Sequence, residues 1–568
     1  MPIHRRQVLG AGFAALALGS ARAFGARMGA PPGRGRLRDP GALGDPRLAL
    51  TDLGATVRVG GLPFAPWFTG DDFPDPESVP FHYLGGGPLP APQERVDVAI
   101  VGGGLSGLAT AYMLRERRPV LFDLRPRFGG NALGETWREA RYSLGSAYVI
   151  TPDRGSFLER LYTSLGLTSV QRTSAPPDPV EVGGVVRSDF WSGAGTSPEE
   201  ARVFRRYAEV VTAMAEERYP EIPLAQDVAE ADAVRRLDLL QFREDLEQQM
   251  GVALTPRLAA AVQGYFYSSF GAGMEEISAA AGWNFLAAEE YGRLVFPGGN
   301  SALAGALWDG LRESALSGGE PQRLLRPGCR VVDVRRDGHS YRVTWIDQQG
   351  APRALLARQV VMAGAKQIVK HVLQDVATKD PRKMAAMNAV ETMPYVVANV
   401  LLDAPVQRDF YDLFLVGDEL AFPMTPGAFE AASRPVDIVN GNYALASGTP
   451  RSALTFYWPL PWFTARFSLL VNDPWERYSA ASVDTVRHGL ALLGVADSAV
   501  RQVRLTRWGH AMPLARPRFI AGGHAEALVR PFDGAVHFVN QDNWALPAVE
   551  NSLLDAAATA TRVLEALA

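Results

Sequence analysis

Gly102, Gly104 and Gly107 form a Gly-x-Gly-x-x-Gly turn between an apolar run, residues 96–101, and a helical stretch that opens on Leu105 and Ser106. A second apolar run, residues 120–122, ends in Asp123, 16 residues past Gly107 and 21 past Gly102. Each part has a chemical reason. Gly102 makes the tight turn, and Gly104 lets a pyrophosphate approach the backbone where a Cβ would stand in the way. Gly107 lets the helix pack close to the sheet. The free N–H groups of the helix start, at Leu105 and Ser106, face the phosphates, and Asp123 stands at the distance where a carboxylate meets a ribose hydroxyl pair. The pattern predicts a strand, turn, helix and strand that bind a dinucleotide.

Which dinucleotide is decided further on. After Asp123 the chain reads Leu124-Arg125-Pro126-Arg127-Phe128-Gly129-Gly130-Asn131-Ala132. Later come Tyr142-Ser143-Leu144-Gly145-Ser146-Ala147, Phe296-Pro297-Gly298-Gly299-Asn300, Arg330-Val331-Val332-Asp333-Val334, and Phe538-Val539-Asn540-Gln541-Asp542 followed by Glu550. In order and spacing these segments resemble the flavin amine oxidase superfamily, over roughly residues 95–568. The resemblance implies FAD. Arg127, Gly129, Gly130 and Asn131 would wrap the pyrophosphate and ring system, Gly145 and Ser146 would present backbone to the flavin, Val331 would contact adenine, and Asp542 would hold the ribityl chain. No cysteine lies near the last motif, so the FAD is expected to be held non-covalently. The twin-arginine start described below and the details of the glycine motifs resemble bacterial spermidine dehydrogenase-like flavoproteins. Some of those carry haem, but there is no Cys-x-x-Cys-His here and the eight histidines contain no metal-type pair.

Two positions depart from the family pattern. Its lysine near the flavin falls at Asn399, or at Ala398, on the expected strand 395–402; none of Lys366, Lys370, Lys379 and Lys383 fits. The aromatic residue expected six places after the last acid is Ala548, with Trp544 as a substitute, either a substrate wall or a packing tryptophan. Within Arg507-Trp508-Gly509-His510, the resemblance sets Trp508 beside the flavin. His510 is either an acid/base or hydrogen-bond partner in the pocket or a structural histidine.

These residues must be positioned by an α/β fold, a Rossmann-type FAD-binding domain interleaved with an α+β substrate domain. Residues 1–23 read as a signal peptide and 24–94 as an irregular Pro/Gly-rich arm. The FAD-binding parts are 95–150, 296–370 and 506–568; the substrate-domain parts are 151–295, largely helical, and 371–505. Ser197-Pro198-Glu199-Glu200 predicts a capped helix, with Val203, Tyr207, Val210, Val211 and Met214 on its buried face. A β-meander is expected over 328–364.

At 568 residues the chain exceeds one hydrophobic core, and a net charge of −4 with 47% hydrophobic residues carries no nucleic-acid footprint. The single cysteine, Cys329, cannot form an intrachain disulfide; a small buried role is expected. His4-Arg5-Arg6-Gln7-Val8-Leu9, a Gly/Ala/Leu stretch and Ala21-Arg22-Ala23 form a twin-arginine signal with a cleavage site. The expected partner in export is the twin-arginine translocase and the destination the periplasm, a route that carries folded, FAD-loaded protein. Three readings stay open: an amine or polyamine dehydrogenase using a quinone, a soluble carrier or oxygen as acceptor; a desaturase or isomerase acting at carbon on an apolar substrate; and a non-catalytic FAD-binding protein. Acids and aromatics in the pocket favour the first reading, an all-apolar tunnel the second.

Overall fold

The computed structural model describes residues 43–71, 89–174, 177–319, 321–417, 434–445, 448–460, 469 and 474–568. The twin-arginine segment, and residues 24–42 and 72–88 of the arm, lie outside them.

The glycine motif nucleates a seven-stranded sheet. Glu94–Val101 runs parallel to Val120–Phe122 on one side and to Pro352–Met362 on the other. Leu325–Arg326 and Val536–Phe538 add further parallel strands. Arg330–Asp337, Ser340–Ile346 and Pro352–Met362 form the antiparallel meander, with the turn at Asp347-Gln348-Gln349-Gly350. The central strands are Val/Ile/Leu-rich and buried on both faces, because helices cover the sheet. Leu105–Met113 packs there, with the C-terminal helix Val549–Leu567 against it.

A nine-stranded sheet carries the other lobe. Its centre is antiparallel: Asp412–Gly417, Asp437–Asn440, Ser452–Pro459, Thr392–Leu402 and Val500–Pro513 lie side by side in that order. Helices Pro198–Glu217, Val228–Leu237, Phe242–Met250, Pro256–Phe270 and Ala279–Ala288 supply the helical part. Ser197 Oγ accepts the Glu200 N–H at 3.1 Å, and Val203, Tyr207, Val210, Val211 and Met214 are buried behind that cap.

Two expectations about organisation change. The arm is not irregular throughout: Leu62–Gly70 is a strand of the nine-stranded sheet, parallel to Val500–Pro513, and it buries Phe64 and Phe68 while Trp67 stays exposed. Its Gly and Pro content had masked the continuous apolar run of residues 62–68. The boundary placed at 505/506 falls inside Val500–Pro513, which runs unbroken along the substrate sheet and carries Trp508 and His510 on it.

Candidate active site

One cavity of about 800 Å³ runs between the two sheets. At the nucleotide end its wall is Gly102, Gly104, Leu105, Ser106, Asp123, Gly129, Gly130, Asn131 and Val331. The helix starting at Leu105 opens there, with Gly104 as its first cap and its early N–H groups unclaimed by the helix. Gly102 has φ +109°, in the region that favours glycine. A Cβ built on Gly104 would meet nothing nearer than Gly130 Cα at 3.8 Å, so the space above it is open cavity. A Cβ on Gly107 would stand 1.9 Å from Gly102 O. Gly107 therefore lies under the turn, as its packing role requires, and does not line the cavity. Asp123 is spent first on the loop: Oδ2 accepts the Gly103 N–H at 2.8 Å and Oδ1 the Arg125 N–H at 2.7 Å. Burial pushes its carboxyl up, against the pull of Arg125.

This wall fits a dinucleotide on its own geometry: a helix N-terminus for the phosphates, an open glycine face above it, and a buried carboxylate behind. Cys329 also lines it, with its N–H donating to Asp123 O at 2.8 Å and burial raising its thiol. It is buried, as expected of the single cysteine.

Gly145, Ser146, Trp508 and His510 line the cavity too, with the Trp508 indole next to Gly145. The Asn131 backbone O accepts the Ser146 N–H at 2.9 Å, and Asn131 Nδ2 donates to Ala511 O at 2.7 Å, so one residue ties the cradle to the His510 strand. The Trp508 indole donates to Leu144 O at 2.7 Å. Thr392 Oγ1 and His510 Nδ1 are hydrogen-bonded at 2.6 Å. Asp542 lines the wall nearby and accepts the Lys366 backbone N–H at 2.8 Å; burial raises its carboxyl.

Three expected site residues are corrected. Arg127 does not reach the cavity. Its guanidinium donates to Gly134 O at 3.3 Å and sits near Glu135, itself paired with Arg504 at 2.8 Å. Arg125 lines the cavity instead, two residues earlier and on the other side of Pro126. It pairs with Asp71 and stacks 5.3 Å over the Trp508 ring. Asp71 ends the arm's strand and also accepts the Gly509 N–H at 2.8 Å. Burial opposes its charge, but Arg125 and these hydrogen bonds hold its carboxyl below the usual range.

Asn399 does not reach the cavity either. Along its strand Tyr395 and Val397 do; one pleat further on, the hairpin Gly134–Trp137 and Ala140–Ser143 covers the sheet, and Asn399 accepts the Thr455 hydroxyl at 2.8 Å. Ala398 faces the opposite, fully packed side. Trp544 is a core residue. Its indole donates to Asp555 at 3.1 Å, and the cavity wall passes it by, through Asp542, Pro547 and Ala548. Among the described residues no lysine lines the cavity, and Lys366 is buried outside the wall.

Sequence reasoning missed the far end. There Tyr148, Tyr265, Tyr395, Tyr457, Asp412 and Asp437 face the cavity. Tyr395 and Tyr457 meet at 5.9 Å, nearly perpendicular, and the Tyr457 hydroxyl donates to Gly145 O. Arg293 is close by but committed, at 3.1 Å to Glu289 and in an ion pair with Asp178. No single strand signals it: the face of Ser452–Pro459 opposite Tyr457 is aromatic as well, with Phe456 and Trp458, and only the sheet register gathers these residues.

The comparisons with known proteins agree with this geometry. The chain is similar to the oxidoreductase PigB of Serratia sp., 21% identical over 517 residues, which cover 81% of this chain and 74% of that protein. Its fold is similar to a putrescine oxidase bound to putrescine (15% identity, TM-score 0.58) and to the cyclohexylamine oxidase of Brevibacterium oxydans (16%, TM-score 0.58); each comparison covers 83% of this chain and 99% of the other. The model of the flavin-containing amine oxidoreductases matches residues 105–426, more than half of the chain. With a dinucleotide cradle, a flavin-facing loop and a second sheet closing the cavity, the chain belongs to that family and is an FAD-dependent oxidoreductase.

Proposed function

We propose that the protein oxidises the carbon–nitrogen bond of a small amine, in the finer reading a polyamine, and hands the electrons to a quinone or soluble carrier in the periplasm. The far wall of the cavity carries this reading. It is built of tyrosines with Asp412 and Asp437 among them, and Glu550 lines the cavity too, where a polyene or lipid-like substrate would need a continuous apolar lining. Tyrosine faces attract an ammonium group, and carboxylates pair with it.

Bound FAD supplies the acceptor for a hydride equivalent from the carbon next to nitrogen. The chain's own work is to bind, orient and dry that carbon. Tyr395 and Tyr457 flank it from the sheet, and the bond from Tyr457 to Gly145 O fixes one ring against the flavin-facing loop. Thr392 orients the His510 ring for proton transfer at the substrate nitrogen, which must be neutral to react.

Anaerobic titration of the purified protein tests the reading. Primary amines and polyamines are expected to bleach the yellow colour and apolar polyenes to leave it unchanged; bleaching by the polyenes alone would replace an amine enzyme with one acting at carbon.

Export is the other part of the proposal. It rests on Arg5 and Arg6 before a mild apolar stretch and on the need to load FAD before crossing. Changing both arginines to lysine is expected to leave FAD-loaded protein in the cytoplasm with its N-terminus intact. An unchanged periplasmic yield would remove the segment's role.

A further inference from the structure

Asp412 and Asp437 are the first residues of neighbouring antiparallel strands, and the register pairs Asp412 with Val439 and Phe414 with Asp437. The two acids are therefore diagonal neighbours on one face, the spacing at which side chains interact across strands. Both side chains are buried and both line the cavity. Oδ1 of each is buried without a hydrogen-bond partner, which is costly for a carboxylate unless something else meets it. Asp437 Oδ2 accepts the Ser268 hydroxyl at 2.6 Å.

The surroundings favour a cation. Around the acids stand Tyr265, Tyr395 and Tyr457, whose ring faces attract positive charge, while the Tyr148 and Tyr411 rings already hold the Arg293 guanidinium at 5.3 and 5.1 Å. Arg293 is the basic group nearest the pair, and Asp178 and Glu289 already balance it. Asp437 lies on the strand next to Tyr457 and two strands from Tyr395, so about 5–10 Å separates it from the tyrosine pair beside the flavin-facing loop. An alkyl spacer of several methylene groups covers that distance.

We propose that Asp412 and Asp437 form a distal cation subsite that holds the second, non-reacting ammonium group of a diamine or polyamine and releases a proton to solvent when it does so. The proposal rests on the amine reading above. Two buried carboxylates on one face of neighbouring strands raise each other's cost of ionisation, so a proton stays on the pair until a cation replaces it. Burial comes first in raising both groups: Asp437 is pushed up to about 7, and Asp412 is raised further by its neighbours Asp437 and Asp178. As pH rises through about 7, Asp437 gives up its proton and competition with the ammonium weakens.

Kinetics on the holoenzyme test this, with four- and eight-carbon α,ω-diamines compared with primary monoamines of the same chain length. In the wild type the diamine is expected to have the higher kcat/KM by about 10- to 100-fold, the value of one charge-assisted bond. Its KM is expected to fall as pH rises through about 7. In Asp437→Asn, and separately in Asp412→Asn, the ratio of diamine to monoamine should collapse toward one and the pH dependence of the diamine KM should flatten. A wild type that uses diamine and monoamine equally overturns the proposal without any variant, and so does a ratio that survives both substitutions. A wild type reduced by no amine at all rejects the amine reading, and this proposal with it.

Discussion

Gly104→Val is expected to give a folded protein without colour. The backbone at Gly104 is ordinary, with φ −68°, so valine is not strained there. An added Cβ meets no protein atom closer than 3.8 Å, so the apo fold tolerates it. The branched side chain would instead fill the space in front of the helix N-terminus, where the pyrophosphate approaches the backbone. Gly107→Val gives the contrast. Its Cβ would overlap Gly102 O at 1.9 Å, so the turn itself must break and stability must fall. The measurements are FAD released into the supernatant by acid precipitation, which also shows that the cofactor is not covalently attached, and a thermal melt of each variant. Asp123→Ala should weaken binding by less than Gly104→Val. It loses the ribose contact and loosens the bonds to Gly103 and Arg125, each a charge-assisted bond of roughly 1.5–3 kcal/mol. Wild-type FAD content in Gly104→Val would displace the whole cofactor site.

The second large effect concerns how electrons leave. The photoreduced enzyme is expected to regain its yellow colour with a quinone or dye at least tenfold faster than with oxygen. Oxygen reduction passes through a superoxide anion, and a nearby positive charge stabilises it by several kcal/mol where the site is dry, roughly the worth of an ion pair at low effective dielectric. Among the described residues the cavity wall has no lysine. Arg125 is neutralised by Asp71, and Arg293 by Asp178 and Glu289. Arg330 also lines the cavity beside Val331, and Arg507 lines it with its guanidinium donating to the Asp71 and Leu469 carbonyls and lying over the Phe68 ring. The cavity-facing residues of the central strand are Tyr395 and Val397, neither of them cationic. Stopped-flow reoxidation of photoreduced protein needs no substrate. If oxygen matches the quinone, the enzyme is an oxidase and the missing lysine does not matter.

Much of the nucleotide half was legible in the residues themselves. The turn from Gly102 to Gly107, the helix behind it and Asp123 form one contiguous stretch, and their geometry follows from local rules: glycine at positive φ, a helix start beside it, and a carboxylate at the end of the next strand. The cap at Ser197 and the buried stripe behind it are local in the same sense. Asp542, Val331, Gly145 and Ser146 were reached through motif likeness, and they lie on the same cavity wall.

The other half was decided by tertiary structure. Whether Arg125 or Arg127 faces the cofactor depends on which side of Pro126 meets Asp71, a residue from a strand 54 positions away. Asn399 shares a face with Tyr395 and Val397, but a hairpin from residues 134–143 covers that face beyond Val397, and nothing within the strand signals it. Trp544 lies two residues from Asp542, yet its indole is drawn into the core by Asp555. The acid pair was hidden in the same way. Asp412, Asp437, Tyr457 and Tyr395 belong to four strands, and only the sheet register puts them side by side. A strand's alternation tells which residues share a face; what that face meets is set by strands and hairpins distant in sequence.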